Sequence, residues 1–350
     1  MTTALTQAPE AGTETTGTRR RGLGLGLVLL LGALGLVTFL SVTQGSREIS
    51  LGEVLRAFGD FSTGTVNDTV TLEVRVPRTI IGLLAGAALG LSGALLQGVT
   101  RNPLADPGIM GVNAGAAAAV VAAITLLNVD GVSSYLWFAF VGAGLATVLV
   151  YAVGSIGRDG ATPIKLALAG AAITAGLTSY TSAMIMTNDR ALDELRFWQV
   201  GSLAGRYAPV VSAVAPFVIV GCLLALLCGR WLNALALGED TARSLGVQVG
   251  RTRLVLFAVI ALLCGAATAA CGPIVFVGLA VPHLARLVCG PDYRWILPYS
   301  MLLGPLVLLL CDVLGRVLAG DGELQVGVML GVVGAPFFIG LVRYGRLAEL

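Results

Sequence analysis

From Leu254 to Ala285 the chain carries no Asp, Glu, Lys or Arg. A helix that is apolar all round must be enclosed on every side, which a water-soluble fold rarely offers over such a length. A bilayer offers it directly, and one crossing takes about 20 apolar residues. The stretch is too long for one crossing, and Gly272-Pro273 supplies the break, because proline lacks the N–H that a helix interior requires. The same length criterion along the chain predicts ten spanning helices, near 22–42, 79–99, 107–128, 135–156, 164–187, 209–231, 253–271, 274–289, 296–318 and 324–343. Only 12% of residues are charged, about half the share in ordinary globular chains. The expected fold class is an all-α integral membrane protein.

The ends follow from the same reading. Three arginines, Arg19 to Arg21, precede an uncharged run from Gly22 to Gln44. That run exceeds a signal-peptide core and no A-x-A site follows it, so it reads as an uncleaved first helix. Residues 1–21 read as a disordered cytoplasmic tail, and residues 22–350 as one polytopic domain. Lys and Arg beside the spans give the orientation. With the N-terminus inside, the cytoplasmic set is Arg19, Arg20, Arg21, Arg101, Arg158, Lys165, Arg230, Arg243, Arg251, Arg253, Arg286, Arg294, Arg343 and Arg346. The opposite set is smaller: Arg47, Arg56, Arg75, Arg78, Arg190, Arg196, Arg206 and Arg316. Both termini are therefore expected in the cytoplasm.

Bilayer helices cannot be driven together by lipid exclusion, so small residues must let backbones approach. In "GLLAGAALG" the residues Gly82, Gly86 and Gly90 fall on one helix face. The following "QGVTRNPLADPGIMG" should form a tight turn, with Pro107 starting the next helix. The six cysteines lie in or beside apolar runs without a C-x-x-C pair, and read as buried small apolar residues rather than metal ligands or disulfides. No metal site is expected.

The longest internal cytoplasmic segment, 232–251, contains "LGEDTARSLG". Gly238 and Gly246 punctuate two small helices there. Leu235, Leu237, Ala242 and Leu245 form an apolar stripe, which either faces a partner or touches the membrane interface. No G-x-x-x-x-G-K-[ST] phosphate loop surrounds the single lysine, Lys165, so the chain holds no ATP site of its own.

Taken together, "RVPRTIIGLLAGAALGLSGALLQGVTRNPLADPGIMGVNAGA", "LGEDTARSLG", "GPIVFVGLAVPHLARLVCGP" and "GAPFFIGLVRYGR" resemble the FecCD-type permease subunits of ATP-driven importers for iron-siderophores, haem and vitamin B12. The resemblance runs from about residue 22 to the C-terminus. It implies ten helices per subunit, a second permease subunit, identical or paralogous, two cytoplasmic ATPase subunits and an external substrate-binding protein. ATP and Mg are then cofactors of the partner subunits, not of this chain. The resemblance also implies a plasma-membrane location, no nucleic-acid partner, and a ferric siderophore, haem or cobalamin as cargo.

Several residues take roles from the resemblance. Leu237, Gly238, Glu239, Ala242, Leu245 and Gly246 match the segment that couples to the ATPases. Arg75, Arg78 and Arg316 match positions that, in the vitamin B12 branch, meet acidic residues of the binding protein; interfacial snorkelling is the alternative. Thr162 and Pro163 fall at the inner gate, although the family's hydroxyl pair there is not cleanly reproduced. His283, the only histidine, reads as structural or interfacial, with proton relay as the alternative. Asp312, well inside a span, pairs within its helix with Arg316 or handles cargo or protons.

Two other classes fit less well. An ion-coupled secondary transporter needs ionisable residues near the midplane, and only Asp312 qualifies. A membrane-embedded hydrolase needs a constellation such as H-E-x-x-H or G-x-S-x-G, and neither occurs.

Overall fold

The computed structural model describes residues 14–45, 47, 49–60, 64–157, 162–319 and 322–344, with backbone alone for 14–21, 51, 60, 341, 342 and 344. Every regular element among the described residues is a helix. The chain opens with α1 (Glu14–Thr43), α2 (Leu51–Asp60) and α3 (Val66–Thr69), which runs through a π-helical stretch Val70–Arg75 into α4 (Val76–Thr100). Then come α5 (Val112–Leu127), α6 (Val132–Gly154), α7 (Pro163–Ile185), α8 (Asp189–Gln199) and α9 (Ala208–Leu227). The short α10 (Gly229–Ala236) and α11 (Glu239–Ser244) lead into α12 (Val249–Cys271), α13 (Val277–Cys289), α14 (Tyr293–Leu318) and α15 (Val326–Tyr344).

Each expected span coincides with a helix, but the helices are not equivalent. Among the described residues, seven segments are long and apolar enough to cross a membrane: Gly22–Thr43, Val66–Thr100, Val132–Gly154, Pro163–Ile185, Ala208–Leu227, Val249–Cys271 and Tyr293–Leu318. Three more, Val112–Leu127, Val277–Cys289 and Val326–Gly340, are apolar but shorter.

Local chemistry accounts for two of the shortened helices. The Asp106 carboxylate accepts the Gly108 N–H at 2.7 Å and caps a single 3-10 turn, Pro107–Met110. Gly111 then turns left-handed at φ +73° and α5 starts only at Val112, so Pro107 does not open that helix as expected. After α12, Gly272 at φ +77° makes the expected break, and Phe276 at φ +68° delays α13 to Val277. A bulky residue rarely adopts that conformation, and the surrounding packing must hold it there. At the other end, α1 begins ahead of residue 22, so residues 14–21, expected in a disordered tail, are helical; residues 1–13 lie outside the described residues.

The fold is organised around α4, which packs against α14, α12, α13 and α9. Its glycine face makes the closest of these approaches. A Cβ on Gly86 would fall on the backbone of Pro305, and one on Gly304 would fall on the carbonyl oxygen of Gly86. Gly115 of α5 and Gly142 of α6 meet in the same way. Such contacts bring whole backbones within dispersion distance, the drive available between helices in lipid. With a rise of 1.5 Å per residue, α4 is about 37 Å long. It carries Arg75 and Arg78 at its start and Arg101 at its end.

Candidate functional site

The first cluster forms where α1 ends and α4 begins. A helix C-terminus leaves its last carbonyls without partners, and two arginines satisfy those of α1. The Arg75 guanidinium donates to the carbonyls of Val42 (3.1 Å) and Thr43 (2.6 Å) and to that of Arg47. Arg316 of α14 donates to the carbonyls of Ser41 (3.0 Å) and Gln44 (2.7 Å) and to the Ser41 hydroxyl (3.2 Å). Positive charge at that end also complements the helix dipole. Asp312 pairs with Arg316 at 3.1 Å, as its spacing on the helix predicts. A second partner, Arg78, reaches Asp312 at 2.9 Å from across the bundle, and its other nitrogen meets Glu323 at 2.9 Å.

The three arginines are held by groups within the chain itself. Arg75, Arg78 and Arg316 are 5%, 5% and 3% exposed and Asp312 is fully buried. None is a free surface cation, and none snorkels outward. The sequence reading missed Glu323 and Ser41. Glu323 lies in the short polar link before α15, a few residues after Arg316, and that local charge pattern was the signal available.

The second cluster lies at the other end of α4. α10 and α11 form the two short helices expected around "LGEDTARSLG", with Gly238 at φ +106° and Gly246 at φ +82° punctuating them. The apolar stripe divides between two faces. Leu235 and Ala242 are buried in the bundle, whereas Leu237 and Leu245 stand 64% and 62% exposed. Glu239 is the hub of the charges. Its carboxylate meets Arg253 at 2.6 Å, Arg243 at 3.0 Å and Arg101 at 4.0 Å.

Thr162 caps α7, its hydroxyl accepting the Lys165 N–H at 3.4 Å, and Pro163 takes the first helical position. Residues 158–161, including Arg158, lie outside the described residues. His283 is buried in α13, on the helix that carries Arg286, whose guanidinium donates to the side chain of Gln97. All six cysteines are free thiols, five of them buried. A cavity of about 290 Å³ is lined by Asn113, Thr174, Thr178, Thr181, Trp198 and Pro273, among others.

Long apolar helices packed through glycine, with one charged cluster at each end of a central helix, are the build of a helical membrane protein. The chain belongs to the FecCD transport family, which its residues 33–344 match. It is 45% identical over 318 residues to the ferric enterobactin transport system permease protein FepD of Escherichia coli strain K12, covering 91% of this chain and 94% of that one. It is 38% identical over 329 residues to the iron(3+)-hydroxamate import system permease protein FhuB of Bacillus subtilis strain 168, covering 93% and 85%. A solved inward-facing structure of a metal-chelate type ABC transporter superposes with a TM-score of 0.79 at 28% identity, over 90% of this chain and 98% of that one. The protein is a permease subunit of an ABC importer and a multi-pass protein of the cell membrane. It lacks an ATPase site, and ATP is hydrolysed by partner proteins.

Proposed function

We propose that this permease imports a ferric siderophore that an external binding protein delivers. Two copies, or this chain and a paralogue, enclose the pathway, and two cytoplasmic ATPase subunits holding ATP and Mg drive it. The ten spans cross with both termini in the cytoplasm. α5, α13 and α15 serve as the three shorter spans. Relatives named for ferric enterobactin and iron-hydroxamate transport support the choice of cargo.

One observation carries the reading. Leu237 and Leu245 stand exposed on a charged segment outside the apolar helices, in a chain without a phosphate loop. Two leucines held that way need an apolar groove, and an ATPase subunit supplies it. Gly238 and Gly246 set the bends, Ala242 seats the segment on the bundle, and Glu239 fixes its register. Thr162 and Pro163 shape the inner gate by starting α7.

At the opposite end, the binding protein docks over the start of α4. Arg75, Arg78 and Arg316 act there through their field rather than by direct contact. Arg78 and Arg316 pair with the carboxylates of Asp312 and Glu323, while Arg75 donates to backbone carbonyls, which leaves one positive charge in excess within this cluster. Such an excess steers an acidic surface toward docking.

Liposomes containing the permease and its ATPase subunits test the proposal. Concentrative uptake of ferric siderophore should require both ATP and the binding protein. Uptake by the permease alone, driven by a proton or sodium gradient, would overturn the importer mechanism. Uptake of haem or cobalamin in place of the siderophore would overturn the cargo.

A further inference from the structure

The segment 237–246 has two chemically distinct faces. Leu237 and Leu245 point away from the bundle. Glu239 faces the other way, half-buried, with Arg253 near the start of α12 at 2.6 Å and Arg101 at the end of α4 at 4.0 Å. Arg243, within α11 itself, holds the second carboxylate oxygen at 3.0 Å and meets Asp240 at 3.0 Å. One carboxylate therefore joins the coupling segment to two long helices that pack against each other.

A tie is needed at this place. Gly238 and Gly246 flank α11 in conformations that L side chains rarely adopt, so α11 is joined to its neighbours by bends rather than by continuous helix. The remaining anchor within α11 is Ala242, fully buried but ending at Cβ. A small apolar contact of that kind resists separation but lets the surfaces slide. Arg253 donates one hydrogen bond to the Glu239 carboxylate, and a charge-assisted bond of this kind is directional and stronger than a neutral one. The side chain of Arg253 is only 11% exposed, which reduces solvent screening of the pair.

We infer that Glu239 is a positioning residue that transmits movement of the coupling segment into α12 and α4, rather than a contact to the ATPase. The inference rests on the reading of 237–246 as the coupling segment. The leucines receive the push; the Glu239 to Arg253 pair passes it to α12, and Arg101 passes it to α4. Because α4 runs on to the Arg78 cluster, a displacement at its end is carried through a rigid element toward the docking face.

The test uses the complete complex in liposomes with ATPase subunits and binding protein, comparing wild type, Glu239→Gln, Arg253→Gln, the double variant and a Leu237→Asp/Leu245→Asp variant. Two quantities are read: ATPase co-purification, and cargo moved per ATP hydrolysed. Glu239→Gln should co-purify with its ATPases as wild type does, while the transport ratio falls about tenfold, the size of a typical coupling between sites. Arg253→Gln should lower the ratio less, because it leaves the Glu239 to Arg101 contact in place. The double variant should be no worse than Glu239→Gln alone, because the Arg253 contact is already lost in that single variant. A wild-type ratio in Glu239→Gln, or additive losses in the double variant, would overturn the transmission role. Loss of co-purification in Glu239→Gln would also overturn it, by making Glu239 an ATPase contact. Failure of the coupling-segment reading has a separate signature, normal co-purification and normal transport in the leucine variant.

Discussion

The guanidinium of Arg78 donates to both carboxylate oxygens of Asp312, 234 positions further along the chain, at 2.9 to 3.2 Å, with Asp312 fully buried. Arg316 meets the same carboxylate at 3.1 Å. One acid thus holds two buried arginines, from α4 and α14, and each of these meets further groups on α1 or the link before α15. Removing one member of such a pair leaves a desolvated charge unmatched, at a cost of about 3 to 5 kcal/mol.

Asp312→Asn should therefore lower stability by that amount. Thermal unfolding of the detergent-solubilised protein, followed by size-exclusion chromatography, reads the loss. A midpoint equal to wild type would mean that Asp312 is not the electrostatic keystone of this end.

A second expectation concerns packing. Gly86 faces backbone at Gly304 and Pro305, whereas Gly35 of α1 has open space where a Cβ would stand. Gly86→Leu has to force α4 and α14 apart, and overpacking in a filled interior costs about 1 to 3 kcal/mol or more. Gly35→Leu should be nearly neutral. Monodispersity and unfolding midpoint of the two variants, measured side by side, check the contrast.

Much of this architecture was legible in the sequence because its causes are local. Apolar length marked the helices, Gly272-Pro273 marked the break, and Gly238 and Gly246 marked the small helices. The roles of the arginines were not legible. Arg75 and Arg78 look like interfacial cations in sequence, and only the fold brings the carbonyls of α1 and the carboxylate of Asp312 to them. α2 and α8 also escaped the span criterion, since each is short and carries charge. The stripe through Leu235, Leu237, Ala242 and Leu245 was visible, but its division into a buried and an exposed face depends on how α10 and α11 settle on the bundle.

The start of α2 gives a pH expectation. Glu53 accepts hydrogen bonds from the Ser50 N–H (2.9 Å), the Asn67 amide (2.8 Å) and the Ser50 hydroxyl (2.8 Å). Those bonds, the Ser50 N–H foremost, hold its carboxyl below the ordinary carboxylate value. A depressed folded-state value stabilises α2 above the ordinary carboxylate value, about 4.3. That contribution is lost as the pH falls through the folded-state value. Hydrogen exchange of α2, corrected for intrinsic rate, should show wild type better protected than Glu53→Gln at pH 6. The two should converge in acid. Equal protection at both pH values would remove Glu53 as the anchor of this helix.

Glu323 offers a contrast to Asp312 within the same cluster. Its side chain is 40% exposed, so its pair with Arg78 is screened by water, and such pairs contribute about 0 to 1 kcal/mol. Glu323→Gln should leave the unfolding midpoint close to wild type, unlike Asp312→Asn. Electrostatically the change is larger. Within the cluster of Arg75, Arg78 and Arg316, the Asp312 carboxylate would then be the one remaining negative charge, so the excess of the cluster doubles. If the cluster attracts an acidic binding protein through its field, association should become faster at low ionic strength and more sensitive to salt, because steering acts chiefly on the on-rate. Stopped-flow or surface-plasmon measurements at two salt concentrations give both quantities. An unchanged on-rate at low salt, with the variant folded, would remove this cluster from docking and leave it as the clamp that fastens α1 to α4 and α14.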